Sequence, residues 1–128
     1  MPQFSSWYNA EYKAYNPDPV FVDELKTYKD KISELVIILA TWCPDTRREL
    51  PRVMKILDQA GFSQKKMSMY AVDRNKENDV KALDKYEFTH VPAIIFFDEE
   101  KEIARITEQP EMTLEEDLTA MLRLYYEN

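Results

Sequence analysis

Short apolar runs alternate along this chain with segments in which apolar residues recur every three or four positions. The short runs are typical of strands, which we predict at residues 35–40, 67–73, 93–98 and 102–107. The periodic segments are typical of amphipathic helices, which we predict after Pro19, after Cys43, at 78–86 and after Thr113. The order α-β-α-β-α-β-β-α implies a parallel strand pair joined by a helix, followed by an antiparallel hairpin. We therefore predict an α/β fold with a mixed four-stranded sheet flanked by helices.

Capping signals mark the ends of these helices. Asp18 stands before Pro19, which suits an N-cap followed by proline at the first helical position. Thr113 with Glu116 fits a capping box. Gly61 is the only glycine in the chain and suits the position just after the helix that follows Cys43.

The helix after Cys43 is predicted to cover the sheet. Its apolar face consists of Leu50, Val53, Met54 and Leu57. We expect this face to pack on strand residues Ile37, Leu39, Ile94 and Phe96. Pro51 falls inside the helix and should kink it.

The first eighteen residues differ from the rest in their aromatic content. The aromatic residues are Phe4, Trp7, Tyr8, Tyr12 and Tyr15, and most of them fall near helical spacing. A short helix packed on the domain is the favoured interpretation, and an aromatic surface for a partner is the alternative. We predict an N-terminal aromatic-rich segment at 1–18 and one domain at 19–128.

Composition limits the partners. The chain has 128 residues, 45% of them hydrophobic, and a formal net charge of −7, which fits one soluble domain and disfavours nucleic acid and anionic membranes. Its longest apolar run is six residues, too short for a membrane span. The N-terminus lacks the pattern of a signal peptide, which predicts a cytoplasmic location, although a chain whose signal had been removed would look the same.

Cys43 is the single cysteine, and it stands between a buried strand and a helix. The positive end of the helix dipole and unpaired N–H groups there favour the reactive thiolate. Three residues later, where a dithiol motif has its second cysteine, the chain carries Thr46. A hydroxyl can donate a hydrogen bond to a thiolate but cannot form a disulfide with it. A buried cysteine acting only as a small hydrophobe is the alternative.

These features together resemble the thioredoxin superfamily over residues 20–125. Trp42-Cys43-Pro44-Asp45-Thr46 stands where that family has WCxxC, here as a single-cysteine CxxT motif. Pro51, the strand end at Ala71-Val72-Asp73, and Val91-Pro92 before an apolar strand match further family positions. The motif is most similar to a bacterial branch with WC-x-D-[ST] sequences.

The resemblance implies roles for several residues. Pro92 should be cis and lie beside Cys43, and the backbone of Val91 should bind an extended substrate peptide. Cys43 and Thr46 would be the catalytic residues, with Trp42, Pro44, Val91 and Pro92 binding the substrate.

The chain also departs from the family pattern. Ile37 replaces a buried aspartate that accepts a proton, and Met69 replaces a lysine near it. Glu108-Gln109-Pro110 stands where the family has a glycine in its substrate loop. The acid–base groups that resolve a mixed disulfide are therefore missing along with the second thiol.

Charged residues and one histidine bear on the chemistry of Cys43. Asp45 should oppose a thiolate, and Arg47 and Arg48 should favour it. His90, the only histidine, could pair with Cys43 as in a hydrolase, but no oxyanion turn is evident and a surface position is favoured. One cysteine and one histidine do not make a tetrahedral metal site, so we predict no metal and no cofactor.

Three functions remain open. Cys43 could exchange with a protein or small-molecule disulfide, with an external low-molecular-weight thiol releasing the mixed disulfide. The domain could instead be a non-catalytic module that binds a peptide. It could also sense thiol stress through reversible capping of Cys43. The first is the favoured prediction because the Trp42-Cys43 pair is retained.

Overall fold

The computed structural model describes residues 5–40, 43–71 and 90–127. Four helices lie within them, α1 (Ser5–Ala14), α2 (Pro19–Lys26), α3 (Pro44–Ala60) and α4 (Leu114–Tyr126). The strands are β1 (Glu34–Leu39), β2 (Met67–Ala71), β3 (Ala93–Asp98) and β4 (Lys101–Thr107). A short 3-10 helix, Gln64–Lys66, precedes β2. The predicted helix at 78–86, the end of the second strand at 72–73, and Phe4 and Trp42 lie outside the described residues.

The four strands form one mixed sheet in the order β2-β1-β3-β4. β1 and β2 run parallel, with Leu35 opposite Met67. β3 runs antiparallel to β1 and to β4. The predicted mixed four-stranded sheet is therefore confirmed, and β1 and β3 occupy its centre, where both faces are covered.

The capping residues act as predicted. The Asp18 side chain accepts a hydrogen bond from the Val20 N–H at 3.0 Å at the start of α2. Thr113 Oγ1 accepts from the Glu116 N–H at 3.1 Å at the start of α4. Gly61 ends α3 with φ of 81°, in the left-handed region that glycine enters without steric cost. These contacts satisfy backbone groups that a helix end leaves unpaired.

The sheet separates two apolar clusters. The larger contains the helix face Leu50, Val53, Met54 and Leu57 together with strand residues Ile37, Leu39, Ile94 and Phe96, as predicted. The smaller contains Val36, Ile38, Ala40, Cys43, Val91, Ala93 and Ile95. Alternate residues of β1 and β3 supply the two clusters because successive side chains in a strand point to opposite faces. The cysteine thus belongs to the face opposite the larger cluster.

The hairpin between β3 and β4 is shorter than predicted. Lys101 pairs with Asp98, so β4 begins at Lys101 rather than Glu102, and the loop is two residues long. Glu99 and Glu100, which form it, have φ of 50° and 73°. A register shift between Phe96 and Phe97 explains why the apolar residues of β4 alternate imperfectly.

Helix α1 packs along α3, which confirms the favoured interpretation of the aromatic segment. Its partly buried residues Trp7, Tyr8 and Tyr12, with Tyr15 beyond the helix, lie against the larger apolar cluster. The Tyr15 hydroxyl and the Asp18 N–H both donate to the carboxylate of Glu115 in α4, the latter at 2.7 Å. Glu115 is buried, and these two donors satisfy its two oxygens.

Candidate functional site

Cys43 is the N-cap residue of α3, with extended backbone angles. Its N–H donates to the Ala40 carbonyl at 3.0 Å, and its carbonyl accepts from the Arg47 N–H at 3.1 Å. The side chain makes no capping hydrogen bond to the helix. Instead, the thiol donates to the Val91 carbonyl oxygen, with a sulfur–oxygen distance of 3.6 Å. Only 9% of Cys43 is exposed, so the contact holds the sulfur within the smaller cluster.

The Val91 carbonyl meets this sulfur, and Pro92 follows Val91 in the chain. The Val91–Pro92 peptide bond is cis, the isomer expected from the sequence. Both residues are buried and precede β3 directly. The Pro92 carbonyl accepts a hydrogen bond from the Glu108 N–H at 2.8 Å, which ties this segment to the end of β4. We use the term thiol site for Cys43, Val91 and Pro92.

Thr46 is fully buried one turn after Cys43. Its hydroxyl oxygen accepts a hydrogen bond from the Ala40 N–H at 3.3 Å. Both Thr46 and Cys43 belong to the described residues, and no hydrogen bond joins them there. Thr46 thus satisfies the amide of the chain segment that leaves β1. Pro44 begins α3 and is exposed, and Trp42 lies outside the described residues.

The arginines after Cys43 have separate partners. Arg48 bonds to Glu49 through Nε and lies 2.6 Å from Asp45 Oδ1 through Nη2. The bond to Glu49 raises the pKa of the Arg48 guanidinium above its ordinary value, and Asp45 adds to this effect. The Arg47 guanidinium lies 5.6 Å from the ring centre of Trp7 in α1. Arg48 is therefore paired with Asp45 and Glu49, so its charge and that of Asp45 offset each other near Cys43.

His90 lies at the surface beside the thiol site. Its Nε2 is 3.3 Å from Glu108 Oε1, and 60% of the His90 side chain is exposed. Glu108 has φ of 61°, which side chains with a Cβ adopt rarely. The contact supports the favoured surface position of His90, with a carboxylate as partner.

The burial of Glu49 and the partner of Glu108 were not predicted from the sequence. Glu49 is 2% exposed, and its Oε1 has no hydrogen-bond partner within the described part of the chain. Glu108 pairs with His90 across eighteen residues of sequence. Glu49 follows the apolar spacing of α3, which could have signalled burial, whereas nothing local signals the partner of Glu108.

Within residues 5–40, 43–71 and 90–127, no three or more His, Cys, Asp or Glu side chains are grouped so as to hold a metal ion. No helix within these ranges has the length and apolar character to cross a membrane.

A parallel β1–β2 pair, a helix opened by cysteine and a cis-proline next to the carbonyl that contacts the sulfur together describe a thioredoxin-like fold. A sequence model of the family described as Thioredoxin matches residues 5–121. The chain therefore belongs to the thioredoxin family. No curated protein matches it.

Solved structures show the same fold. Thioredoxin 1 from Thermosipho africanus is 22% identical, with a TM-score of 0.53, over 73% of this chain and 94% of that one. A protein of unknown function from Pseudomonas aeruginosa is 18% identical, with a TM-score of 0.53, over 97% of this chain and 72% of that one. A protein named Trxlp from Edwardsiella tarda is 19% identical, with a TM-score of 0.52, over 84% of this chain and 94% of that one. Identities this low show similarity of fold alone.

Proposed function

We propose that this protein carries out thiol–disulfide exchange through one cysteine. The observation that supports the proposal most directly is the contact between Cys43 Sγ and the Val91 carbonyl at 3.6 Å, next to the cis peptide bond. It places the only sulfur of a cysteine beside a backbone segment that can bind an extended peptide. Val91, Pro92, Pro44 and Trp42 would hold the substrate there.

In the proposed first step, the Cys43 proton passes to solvent and the thiolate attacks one sulfur of a substrate disulfide. A bond forms between Cys43 Sγ and the attacked substrate sulfur, the substrate disulfide bond breaks, and the other half of the substrate leaves as a thiolate. The resting contact with Val91 must break first, because a thiolate cannot donate to a carbonyl.

In the second step, an external low-molecular-weight thiolate attacks the substrate sulfur of the mixed disulfide, and a disulfide forms between the external thiol and that half of the substrate. Cys43 leaves as a thiolate and takes up a proton. The disulfide is the oxidant of the cycle and the external thiol is the reductant. Thr46 cannot replace that thiol, because its hydroxyl cannot form a disulfide and already accepts from Ala40.

The experiment follows Cys43 by intact mass after addition of bis(2-hydroxyethyl) disulfide. We expect one adduct that persists until reduced glutathione is added and then disappears, while free 2-mercaptoethanol and its mixed disulfide with glutathione accumulate. Cys43→Ser should give no adduct. Turnover without an added thiol, or an unchanged rate in Cys43→Ser, would contradict the proposal.

A binding module without catalysis is the second candidate. Ile37 is fully buried where the resemblance expects a proton-accepting aspartate, and Met69 occupies the lysine position. A site without these groups still offers the backbone of Val91 to a peptide. Under this alternative, Cys43→Ser retains the binding of a peptide partner, and the disulfide assay shows no turnover beyond that of a free thiol in solution.

The remaining assignments are part of the same proposal. We propose that residues 1–18 form an appendage docked on a domain at 19–128, and that the protein works in the reducing cytoplasm, where a lone thiol persists. Limited proteolysis would test the boundary, with cleavage near residues 16–18 expected. Fractionation of the source cells would test the location.

A further inference from the structure

We propose that Glu108 makes the thiol site selective for disulfides that carry positive charge beside the sulfur atoms. This inference rests on the function proposed above, because it assigns the substrate class of the same cysteine. Its basis is the position, the backbone and the partners of Glu108.

The first observation is position. The Glu108 N–H donates to the Pro92 carbonyl at 2.8 Å, and the neighbouring Val91 carbonyl accepts from Cys43 Sγ at 3.6 Å. Glu108 and the Cys43 sulfur thus bind to carbonyls of two consecutive residues, Pro92 and Val91. The Glu108 side chain is 44% exposed, so its carboxylate remains in contact with solvent and with an approaching substrate.

The second observation is the backbone of Glu108. Its φ of 61° lies in the left-handed region, where a Cβ meets steric resistance. Glycine would occupy this position at lower steric cost. The Glu108 carboxylate lies 3.3 Å from Nε2 of His90, the residue next to Val91. The anion is thereby held beside the thiol site.

The third observation is the charge around the site. Arg48 is shared between Asp45 and Glu49, so two carboxylates surround one guanidinium. The Arg48 guanidinium also reaches Gln109 Oε1 at 3.5 Å, which links this group to the loop that carries Glu108. Among the described residues, Glu108 therefore adds a further carboxylate beside the thiol site, next to a group in which two carboxylates already face one guanidinium.

The chemistry is that of the first exchange step. The Cys43 thiolate attacks a sulfur of R–S–S–R, the Cys43–S–R bond forms, and R–S⁻ leaves and takes a proton from water. A cationic R group is attracted by Glu108 as the sulfur atoms approach, and an anionic R group is repelled. The effect acts on the rate of adduct formation and should weaken as salt screens it.

The experiment measures adduct formation on full-length protein by intact mass at pH 7 with three probes. Cystamine is cationic, 3,3′-dithiodipropionate is anionic, and bis(2-hydroxyethyl) disulfide is neutral and serves for normalisation. We expect Glu108→Gln to lower the ratio of cationic to anionic rates by about three- to tenfold. Glu108→Lys should reverse the preference, and added salt should reduce the ratio in the wild type.

Glu100→Gln is the matched control. Glu100 is also an exposed glutamate with positive φ, but it lies in the hairpin turn at the opposite end of β3 from Pro92. Glu100→Gln should leave the ratio of cationic to anionic rates unchanged. An unaltered ratio in both Glu108 variants, or an equal change in Glu100→Gln, would overturn the inference while the exchange function stands. If the neutral probe forms no adduct on wild-type Cys43, the exchange function itself fails, and the selectivity fails with it.

Discussion

The hydroxyl oxygen of Thr46 lies 3.3 Å from the amide nitrogen of Ala40 and accepts its hydrogen bond. Both residues are fully buried, so no solvent can replace this acceptor. The residue in the second-cysteine position therefore holds the backbone of Ala40, directly after β1. Its loss would leave a buried donor unpaired, which is more costly than the hydrogen bond itself is favourable.

Thr46→Val should test this relationship, because valine has nearly the same shape and no acceptor. We expect the free energy of unfolding to fall by about 1–3 kcal/mol, the cost of a buried unsatisfied donor. Thr46→Ser keeps the hydroxyl and is the control for the hydrogen bond. Urea unfolding measures both. Equal losses in the two variants would show that the methyl group, not the hydrogen bond, is what matters.

Thr46→Cys should convert the site to a dithiol. Cysteine would stand three residues after Cys43 at the start of α3, and a disulfide closes if the Cα atoms are about 4.4–6.8 Å apart. We expect modest disulfide reductase activity with dithiothreitol, because Ile37 and Met69 still replace the proton-handling groups. The wild type should show little activity in this assay. Equal turnover by both proteins without a small thiol would contradict the single-cysteine mechanism.

Leu57→Ala should destabilise the protein strongly. Leu57 is fully buried in the cluster between α3 and the sheet, and removal of such a side chain costs about 2–5 kcal/mol. Leu124→Ala is the control, since Leu124 is 67% exposed on α4 and should change stability by less than about 0.5 kcal/mol. Denaturant unfolding of both variants measures the difference. Similar values for the two would mean that the helix face is wrongly assigned.

The β3–β4 turn should be open to stabilisation. Glu99 and Glu100 both have positive φ, a conformation that two-residue hairpin loops usually fill with Asn-Gly. We expect Glu99→Asn combined with Glu100→Gly to raise the melting temperature, through a gain of about 0.5–2 kcal/mol. Asp23→Asn combined with Lys26→Gly, at exposed positions of α2, should lower the melting temperature instead. A fall in the turn variant would contradict the expectation.

Stability should fall at high pH through Tyr12. Its hydrogen bond to Asp58, and then burial, raise the pKa of Tyr12 from 10.0 to about 12. The folded protein thus holds this proton more tightly than the unfolded chain does. The contribution of Tyr12 to the free energy of unfolding is complete below pH 10 and is lost as the pH rises through about 12. Tyr12→Phe should reduce the slope of urea-unfolding stability against pH across this window, and Asp58→Asn should reduce it in part; Tyr15 and Tyr126, whose pKa values are also raised, supply the slope that is left. A slope unchanged in Tyr12→Phe would exclude Tyr12 as a contributor.

Local patterns predicted the elements that carry their own signals. The apolar run at 93–98 gave β3 with its observed limits, and the caps Asp18, Gly61 and Thr113 act as their residue types suggest. The positions of Cys43 and Val91 on one face followed from family resemblance rather than from periodicity. A hairpin was also predicted, but its length was wrong, because the sequence Glu-Glu carries no turn signal.

Contacts between distant residues could not be predicted in this way. Glu49 and Glu115 are charged residues on helices, and their burial depends on partners in other elements. Tyr15 lies 100 residues before Glu115, and no spacing rule connects them. Likewise, the contact between His90 and Glu108 depends on the positive φ of Glu108, which its residue type disfavours.

The bonds from Tyr15 and Asp18 to Glu115 also affect the order in which a newly synthesised chain can fold. Glu115, the acceptor, lies 100 positions after Tyr15 and 97 after Asp18, so it leaves the ribosome well after both donors. Before Glu115 has been synthesised, Tyr15 and Asp18 lack the carboxylate that they bond in the folded protein. The contacts of α1 with α3 can form earlier. Completion of the N-terminal region during translation must therefore wait for the start of α4.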